Sequence, residues 1–384
     1  MRIAYITETY PPEINGVSLT VERTVQFLRQ RGHDVDLIRP RQADEAPLKN
    51  RQEWRTWGMP LPMYPDLRFG VARVSDLVAR FQASQPAVVH LATPGPLAWA
   101  AMRAAHKLGI PTTTDFRTNF HVYSRYYHLS WLSPLILQWL RRFHNGSSRT
   151  FVPTQQMHDE LVAQGFTHLD VVGRGVDTER FHPRHRSQAL RDALLPPDAP
   201  MLLYVGRLAK EKNVDLALQA FDAIKAGSPQ AVMVVVGDGP QREILERQYS
   251  GALFVGVQTG EALAQYYATA DLFVFPSETE TYGNVIPEAM ASGLPVLSYD
   301  LGAAAELVKN KGAGRVIPAG EPERFVTAAC AMAWQYRHSA RLKERARAVA
   351  LSMRWDHVLA QFEHSLMEVA YASKIPATRQ ARSA

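Results

Sequence analysis

Short apolar runs alternate along most of the chain with stretches of about 10–15 residues that carry helical spacing, and this alternation constrains the fold most. The first series of strand-like runs is Ile3–Thr7, Val35–Arg39, Ala87–Leu91, Thr112–Asp115, Arg149–Val152 and Leu169–Val172. The second is Leu202–Val205, Val232–Val236, Leu253–Val255, Leu272–Phe275, Val296–Ser298 and Gly314–Ile317. Helical stretches such as Val17–Gln30, Val214–Ala226 and Glu261–Ala270 separate them. Strand and helix exchanging at this interval is the pattern of parallel sheets covered on both faces. The pattern predicts an α/β chain of two doubly wound domains facing a cleft. Residues 1–180 form the first and residues 201–354 the second, with a Pro-, Arg- and His-rich linker over 181–200. The helical stretch 355–372 is expected to cross back to the first domain, and the polar tail 373–384 to be disordered. Residues Pro40–Pro60 are expected as a long mixed loop, a lid or binding element that carries Trp54 and Trp57.

With 384 residues, 46% of them hydrophobic, each domain can bury a core. The single cysteine, Cys330, excludes a disulfide framework and a Cys-x-x-Cys zinc site. No apolar run is long enough to span a bilayer, and the N-terminus enters a strand pattern without a signal-peptide cleavage site. A cytoplasmic protein is expected. The net charge of +6 is uneven, since residues 61–150 carry ten basic side chains against three acidic ones. That imbalance suits an anionic partner or a solvated basic face.

Ligands of open α/β sheets bind at the carboxyl ends of the strands, so the motifs at those ends matter most. No phosphate loop of the Gly-x4-Gly-Lys type is present, and Gly237-Asp-Gly239 lacks the third glycine of a dinucleotide fingerprint. The stretch from Phe275 to Pro295 is the informative one. A strand ends near Phe275, and a helix is expected near Val285, with Asn284 as its N-cap and Pro287 in its first turn. Glu280 and Glu288 then flank a helix N-terminus whose amides, near Tyr282, Gly283, Asn284 and Val285, suit a phosphate. A nucleoside diphosphate sugar fits, one carboxylate accepting from ribose and the other from the sugar. Gly206-Arg207 and Lys212 open the second domain, and the two bases can neutralise a leaving diphosphate, a task otherwise given to Mg²⁺. In the first domain, Pro11-Pro-Glu-Ile-Asn-Gly16-Val brings a second helix N-terminus to the cleft, Gly16 permitting close backbone approach. Asp34-Val-Asp36 reads as a strand start rather than a metal motif.

Glu280-x7-Glu288, Gly206-Arg207 with Lys212, and the Pro-Pro-x-x-Asn-Gly-Val opening together resemble the retaining family 4 glycosyltransferases of GT-B fold. The likeness covers nearly the whole chain. The opening and Asp115-Phe-Arg117-Thr-Asn-Phe-His121 are most similar to bacterial and plant lipid glycosyltransferases, the sulfoquinovosyl and other diacylglycerol enzymes among them. The resemblance implies that Glu280 contacts donor-sugar hydroxyls, that Glu288 binds the ribose, and that Arg207, Lys212 and Gly16 border the diphosphate. It implies transfer with retained configuration and without a metal or other cofactor, by front-face attack in which the departing phosphate takes the acceptor proton. Many relatives carry histidine where this chain has Arg117, in a Phe-His-Thr pattern. Arginine is no base near neutral pH, so Arg117 would supply charge, and His121 is the candidate for the polar contact.

Residues 123–143, rich in Tyr, Trp and Leu with Arg125, Arg141 and Arg142, and residues 62–81, with Arg68, Arg73 and Arg80, form the basic aromatic part of the first domain. Such a surface suits peripheral docking on an anionic membrane, and equally a core helix. No nucleic-acid-binding motif is present. The expected partners are a nucleotide-sugar donor (UDP or GDP) and a lipid acceptor. A soluble or polysaccharide acceptor, a nucleotide-sugar epimerase, and a binding protein without transfer are the alternatives.

Overall fold

In the computed structural model, residues 1–13, 16–61, 64–116, 133–196, 199–309, 311–335 and 339–372 are described. Arg117, His121, the aromatic stretch 123–132 and the tail 373–384 lie outside them. The alternation folds as two sheets. The first has eight strands: β1 (Arg2–Ile6), β2 (Asp34–Pro40), β3 (Glu53–Leu61), β4 (Tyr64–Val71), β5 (Val88–Leu91), β6 (Thr112–Asp115), β7 (Arg149–Val152) and β8 (Leu169–Val171). Their order is β4-β3-β2-β1-β5-β6-β7-β8, parallel throughout except for the antiparallel β3–β4 pair. The second has six parallel strands: β9 (Met201–Val205), β10 (Val232–Val236), β11 (Leu253–Gly256), β12 (Leu272–Phe275), β13 (Val296–Tyr299) and β14 (Gly314–Ile317), ordered β11-β10-β9-β12-β13-β14. β9, β10 and β12 read as unbroken apolar runs because helices cover both faces of their sheet; β9 is buried at every residue.

The strand order reverses between β1 and β5 in one sheet and between β9 and β12 in the other. The crevice at such a reversal is where open α/β sheets bind ligands. The helix Trp355–Ala372 leaves the second domain and lays Phe362, Leu366, Val369 and Ala370 on the first core, against Ile3, Tyr5 and Val35. Phe181 and Leu195 of the stretch between the sheets belong to the second core.

Pro40–Pro60 is not a loop throughout. Glu53–Leu61 pairs in parallel with β2 and folds back against β4, because Trp54 and Thr56 point to the buried face while Trp57 and Met59 point outward. Arg80 is likewise no part of a basic docking face. Its guanidinium forks onto Asp36 at 2.6 and 2.7 Å and is largely buried.

Candidate active site

The loops after β9 and β12 meet at the reversal of the second sheet. Lys212 Nζ donates to Glu280 Oε1 at 2.5 Å and to Thr279 O at 3.3 Å, which clamps the second loop onto the first. Arg207 pairs with Glu211, four residues on, and the Arg207 carbonyl accepts from Tyr204 OH at 3.2 Å. Glu211 itself is buried, and its carbonyl accepts from Glu278 N–H at 2.9 Å. Two bases and two carboxylates therefore interlock at one strand-end crevice. Gly237 and Gly239 serve this packing rather than a dinucleotide: a Cβ at Gly239 would stand 2.5 Å from Leu208 O.

The turn after Glu280 needs a glycine, since Gly283 has φ +89°. The helix Val285–Ala291 follows, with Pro287 in its first turn. Asn284 does not cap it through its side chain. Its backbone is already helical (φ −54°, ψ −28°), so the side chain points away from the orphan amides, and its Oδ1 is buried without a partner among the described residues. Its Nδ2 instead faces the first domain, 3.6 Å from where a Cβ would sit on Gly16. Gly16 opens the helix Gly16–Gln30, so the two glycine-bearing helix starts meet across the cleft.

Glu288 sits one turn into its helix, and Tyr267 OH donates to its Oε2 at 3.0 Å. Burial pushes the Glu288 carboxyl up to about 7, against the pull of the Tyr267 hydroxyl and the Arg180 charge. Burial, with Glu288 adding, drives the Tyr267 phenol well above its usual range, so it remains a donor at neutral pH. Tyr282 turns away from the crevice: it is buried, and its OH donates to Arg174 O of the first domain at 3.1 Å. Only its backbone belongs to the candidate site. Val285 packs partly buried against the second core.

Lys212 meets Glu280 beside Gly283, Arg207 lies on the neighbouring loop, and Asn284 faces Gly16 of the first domain, whereas Glu288 packs one turn on against Tyr267; Arg117 and His121 lie outside the described residues. Sequence reasoning missed Glu211 and Tyr267. Glu211 carried a local signal, the i,i+4 spacing from Arg207, whereas the Tyr267–Glu288 contact had none. Among the described residues, no group of three or more His, Cys, Asp or Glu is arranged to hold a metal ion.

Residues 14–180 match the profile of Glycosyltransferase Family 4, and residues 199–333 that of Glycosyl transferases group 1. The chain is 35% identical over 333 residues to a GDP-mannose-dependent alpha-mannosyltransferase of Mycobacterium tuberculosis, covering 84% of this chain and 85% of that protein. It is 30% identical over 322 residues to the sulfoquinovosyl transferase SQD2 of Arabidopsis thaliana, covering 82% of this chain and 62% of the relative. Among solved structures it resembles the sucrose-phosphate synthase of Thermosynechococcus elongatus, with TM-score 0.74 and 19% identity over 97% of this chain and 99% of that one. It also resembles Anabaena Alr3699/HepE in complex with UDP, with TM-score 0.72 and 18% identity over 96% and 100% of the two chains.

Proposed function

The chain belongs to the family 4 glycosyltransferases, enzymes of GT-B fold that use a nucleotide sugar, and from that membership we propose that it transfers a hexosyl unit with retention, without a metal ion, to a lipid hydroxyl. The observation that carries the reading is the interlocked quartet Arg207–Glu211 and Lys212–Glu280 at the reversal of the second sheet, beside the turn Gly283–Val285. The diphosphate lies on Arg207, Lys212 and the amides of that turn, with Gly16 opposite. Glu288 accepts from the ribose and Glu280 from the sugar. The glycosidic bond to phosphate breaks, the acceptor oxygen adds to the same face of the sugar, and the departing phosphate oxygen takes the acceptor proton. Arg207 and Lys212 offset the charge that develops on the leaving group, so the bases do what a divalent cation would do elsewhere.

Two outward apolar faces support a lipid acceptor. In the β3–β4 hairpin, Trp57 pairs with Val71 and Met59 lies on the same face, all three exposed. In the helix Ser133–Asn145, Leu140 is buried while Leu135 and Trp139 are exposed beside Arg142. The helix Pro96–Lys107 links them: its Leu97 backs Gly70 of β4, and its Trp99 ring lies 6.2 Å from that of Trp139. No helix among the described residues is long and apolar enough to cross a membrane. Aromatic and basic groups on an outer face give peripheral contact instead.

The donor is a UDP- or GDP-hexose. GDP-mannose heads the panel because the donor is named in the mycobacterial relative. The test incubates the protein with labelled UDP-glucose and GDP-mannose, with and without phosphatidylglycerol vesicles containing diacylglycerol. Label in the lipid phase, with an α-anomer by NMR and a rate untouched by EDTA, is expected. Label confined to water-soluble product overturns the lipid acceptor, an inverted anomer overturns retention, and loss of turnover in EDTA overturns the role given to the two bases.

A further inference from the structure

Glu8 is a buried carboxylate that the reaction above does not use. It lies two residues beyond β1, beside the reversal between β1 and β5, and is 7% exposed. Its Oε2 accepts from the Gly70 N–H of β4 at 2.5 Å, and its Oε1 from the Leu97 N–H in the first turn of the helix Pro96–Lys107 at 3.0 Å. Its own N–H donates to Thr93 Oγ1, just past β5, at 2.7 Å. The surroundings are shaped to hold it. A Cβ on Gly95 would stand 2.6 Å from Glu8 Cγ and Cδ, and a Cβ on Gly70 would stand 2.7 Å from Leu97 Cδ2. Burial raises the carboxyl to about 7, and only the backbone amides of Gly70, Leu97 and Ala98 pull it back.

A buried carboxylate with no cationic partner among the described residues is a costly way to cap one helix. Its identity makes sense once both ties are counted. Amides from two separate elements require two acceptor oxygens, and glutamine offers one, its NH₂ facing an N–H at the other. The ties continue in both directions. Thr7 Oγ1 donates to Thr9 O at 2.8 Å, Thr9 Oγ1 to Glu13 Oε1 at 2.7 Å, and Ser18 Oγ to Glu13 O at 2.5 Å, which leads to the helix start at Gly16 opposite Asn284. On the other side, Gly70 belongs to the hairpin whose outer face is Trp57, Met59 and Val71.

We propose that Glu8 is a positioning residue for transfer, a carboxylate strut that holds the acceptor-side hairpin and the Gly16 loop in one register with the donor. This rests on the reading of the cleft as the donor site. The strut carries the effect of nucleotide binding in the second domain across to the first, because the loop that meets Asn284 is the loop Glu8 anchors.

Hydrogen exchange on the full chain, with UDP and with GDP, tests it without knowledge of the acceptor. In the wild type, nucleotide should protect peptides covering residues 277–290 and residues 7–20. In Glu8→Gln the first protection should persist and the second should vanish, with exchange at Gly70 and Leu97 faster. Transfer to vesicle lipid should fall about tenfold or more in kcat, with donor KM within about twofold. Equal protection of residues 7–20 in both proteins overturns the strut. So does a loss of kcat that only tracks the unfolded fraction. Absence of protection at 277–290 in the wild type would instead overturn the donor site. Should Glu8→Gln not fold, Gly95→Ala displaces the same carboxylate from the other side and must give the same split.

Discussion

At the residue scale the two carboxylates of the Glu-x7-Glu stretch differ in their partners. Glu280 is held by Lys212, whereas Glu288 meets the Tyr267 phenol. Glu280→Gln should lower transfer by about a hundredfold or more, while UDP and GDP bind as well or better because Lys212 is released to the diphosphate. Turnover against calorimetric affinity checks this; a parallel loss of affinity would make Glu280 a binding group for the nucleotide instead. Glu288 and Glu8 both titrate near 7 in the fold against 4.5 outside it, so between those values the folded chain binds more protons than the unfolded one. Their contribution to stability is therefore full below about pH 4.5 and is lost as pH rises through about 7. Urea midpoints between pH 5 and 8 should fall less steeply in Glu288→Gln than in the wild type, and an identical slope would refute the shift. Tyr267→Phe should remove the bond to Glu288 at a cost of about 1 kcal/mol and raise the KM for donor more than it changes kcat. The paired carboxylates were legible because they lie on one loop and helix. Tyr267 is 21 positions away, and the 85-to-89-residue separations around Glu8 (Thr93, Leu97) leave no local pattern to read.

At the scale of elements, strand runs buried on both faces were the easiest to read, since an all-apolar run admits few alternatives. The β3–β4 hairpin was not. Its alternation of Trp54 and Thr56 inward with Trp57 and Met59 outward is brief and broken by glycine and proline, and the parallel pairing to β2 is set from a distant part of the chain. Asn284 shows the converse limit, a favourable capping residue whose backbone is turned by the φ +89° glycine before it into a conformation that cannot cap. The outward face of the hairpin carries the membrane prediction. Trp57→Ser with Leu135→Ser should reduce co-sedimentation with phosphatidylglycerol vesicles severalfold, through lost apolar contact, at any salt concentration. Arg142→Glu should do so only at low ionic strength, where a surface charge is poorly screened. Arg141 is the poorer probe, because its Nη1 already donates to Gln164 O. Wild-type sedimentation by the double serine variant would remove the hairpin from the docking face.

At the scale of the whole molecule, two independently wound sheets are joined by the crossing helix Trp355–Ala372 and by a few single hydrogen bonds across the cleft. The Val176 N–H donates to Met353 O at 2.8 Å where the chain crosses back, and Gly175 is tight there, since a Cβ would stand 2.7 Å from Trp355 Cα. Across the cleft, Tyr282 OH reaches Arg174 O, the Gln155 N–H reaches Glu306 Oε1 at 2.5 Å, and the Gly302 N–H reaches Gln156 Oε1 at 3.3 Å. Tyr282 stands between Glu280 and Gly283, so the bond that joins the lobes also fixes the donor turn. Each contact is a single hydrogen bond of about 1 kcal/mol, a factor of about five in the balance between apposed and separated lobes. Tyr282→Phe combined with Glu306→Ala should therefore shift that balance by an order of magnitude. Small-angle scattering should give a larger radius of gyration for the double variant, which UDP or GDP at saturation brings back toward that of the wild type. Its kcat/KM for donor should fall about tenfold or more, while the unfolding midpoint of the second domain moves little, because the phenylalanine keeps the ring that Tyr282 packs into that domain's core. An unchanged radius with unchanged kinetics would mean that the lobes are held by the crossing helix Trp355–Ala372 alone, and that the cleft contacts only report a register fixed elsewhere.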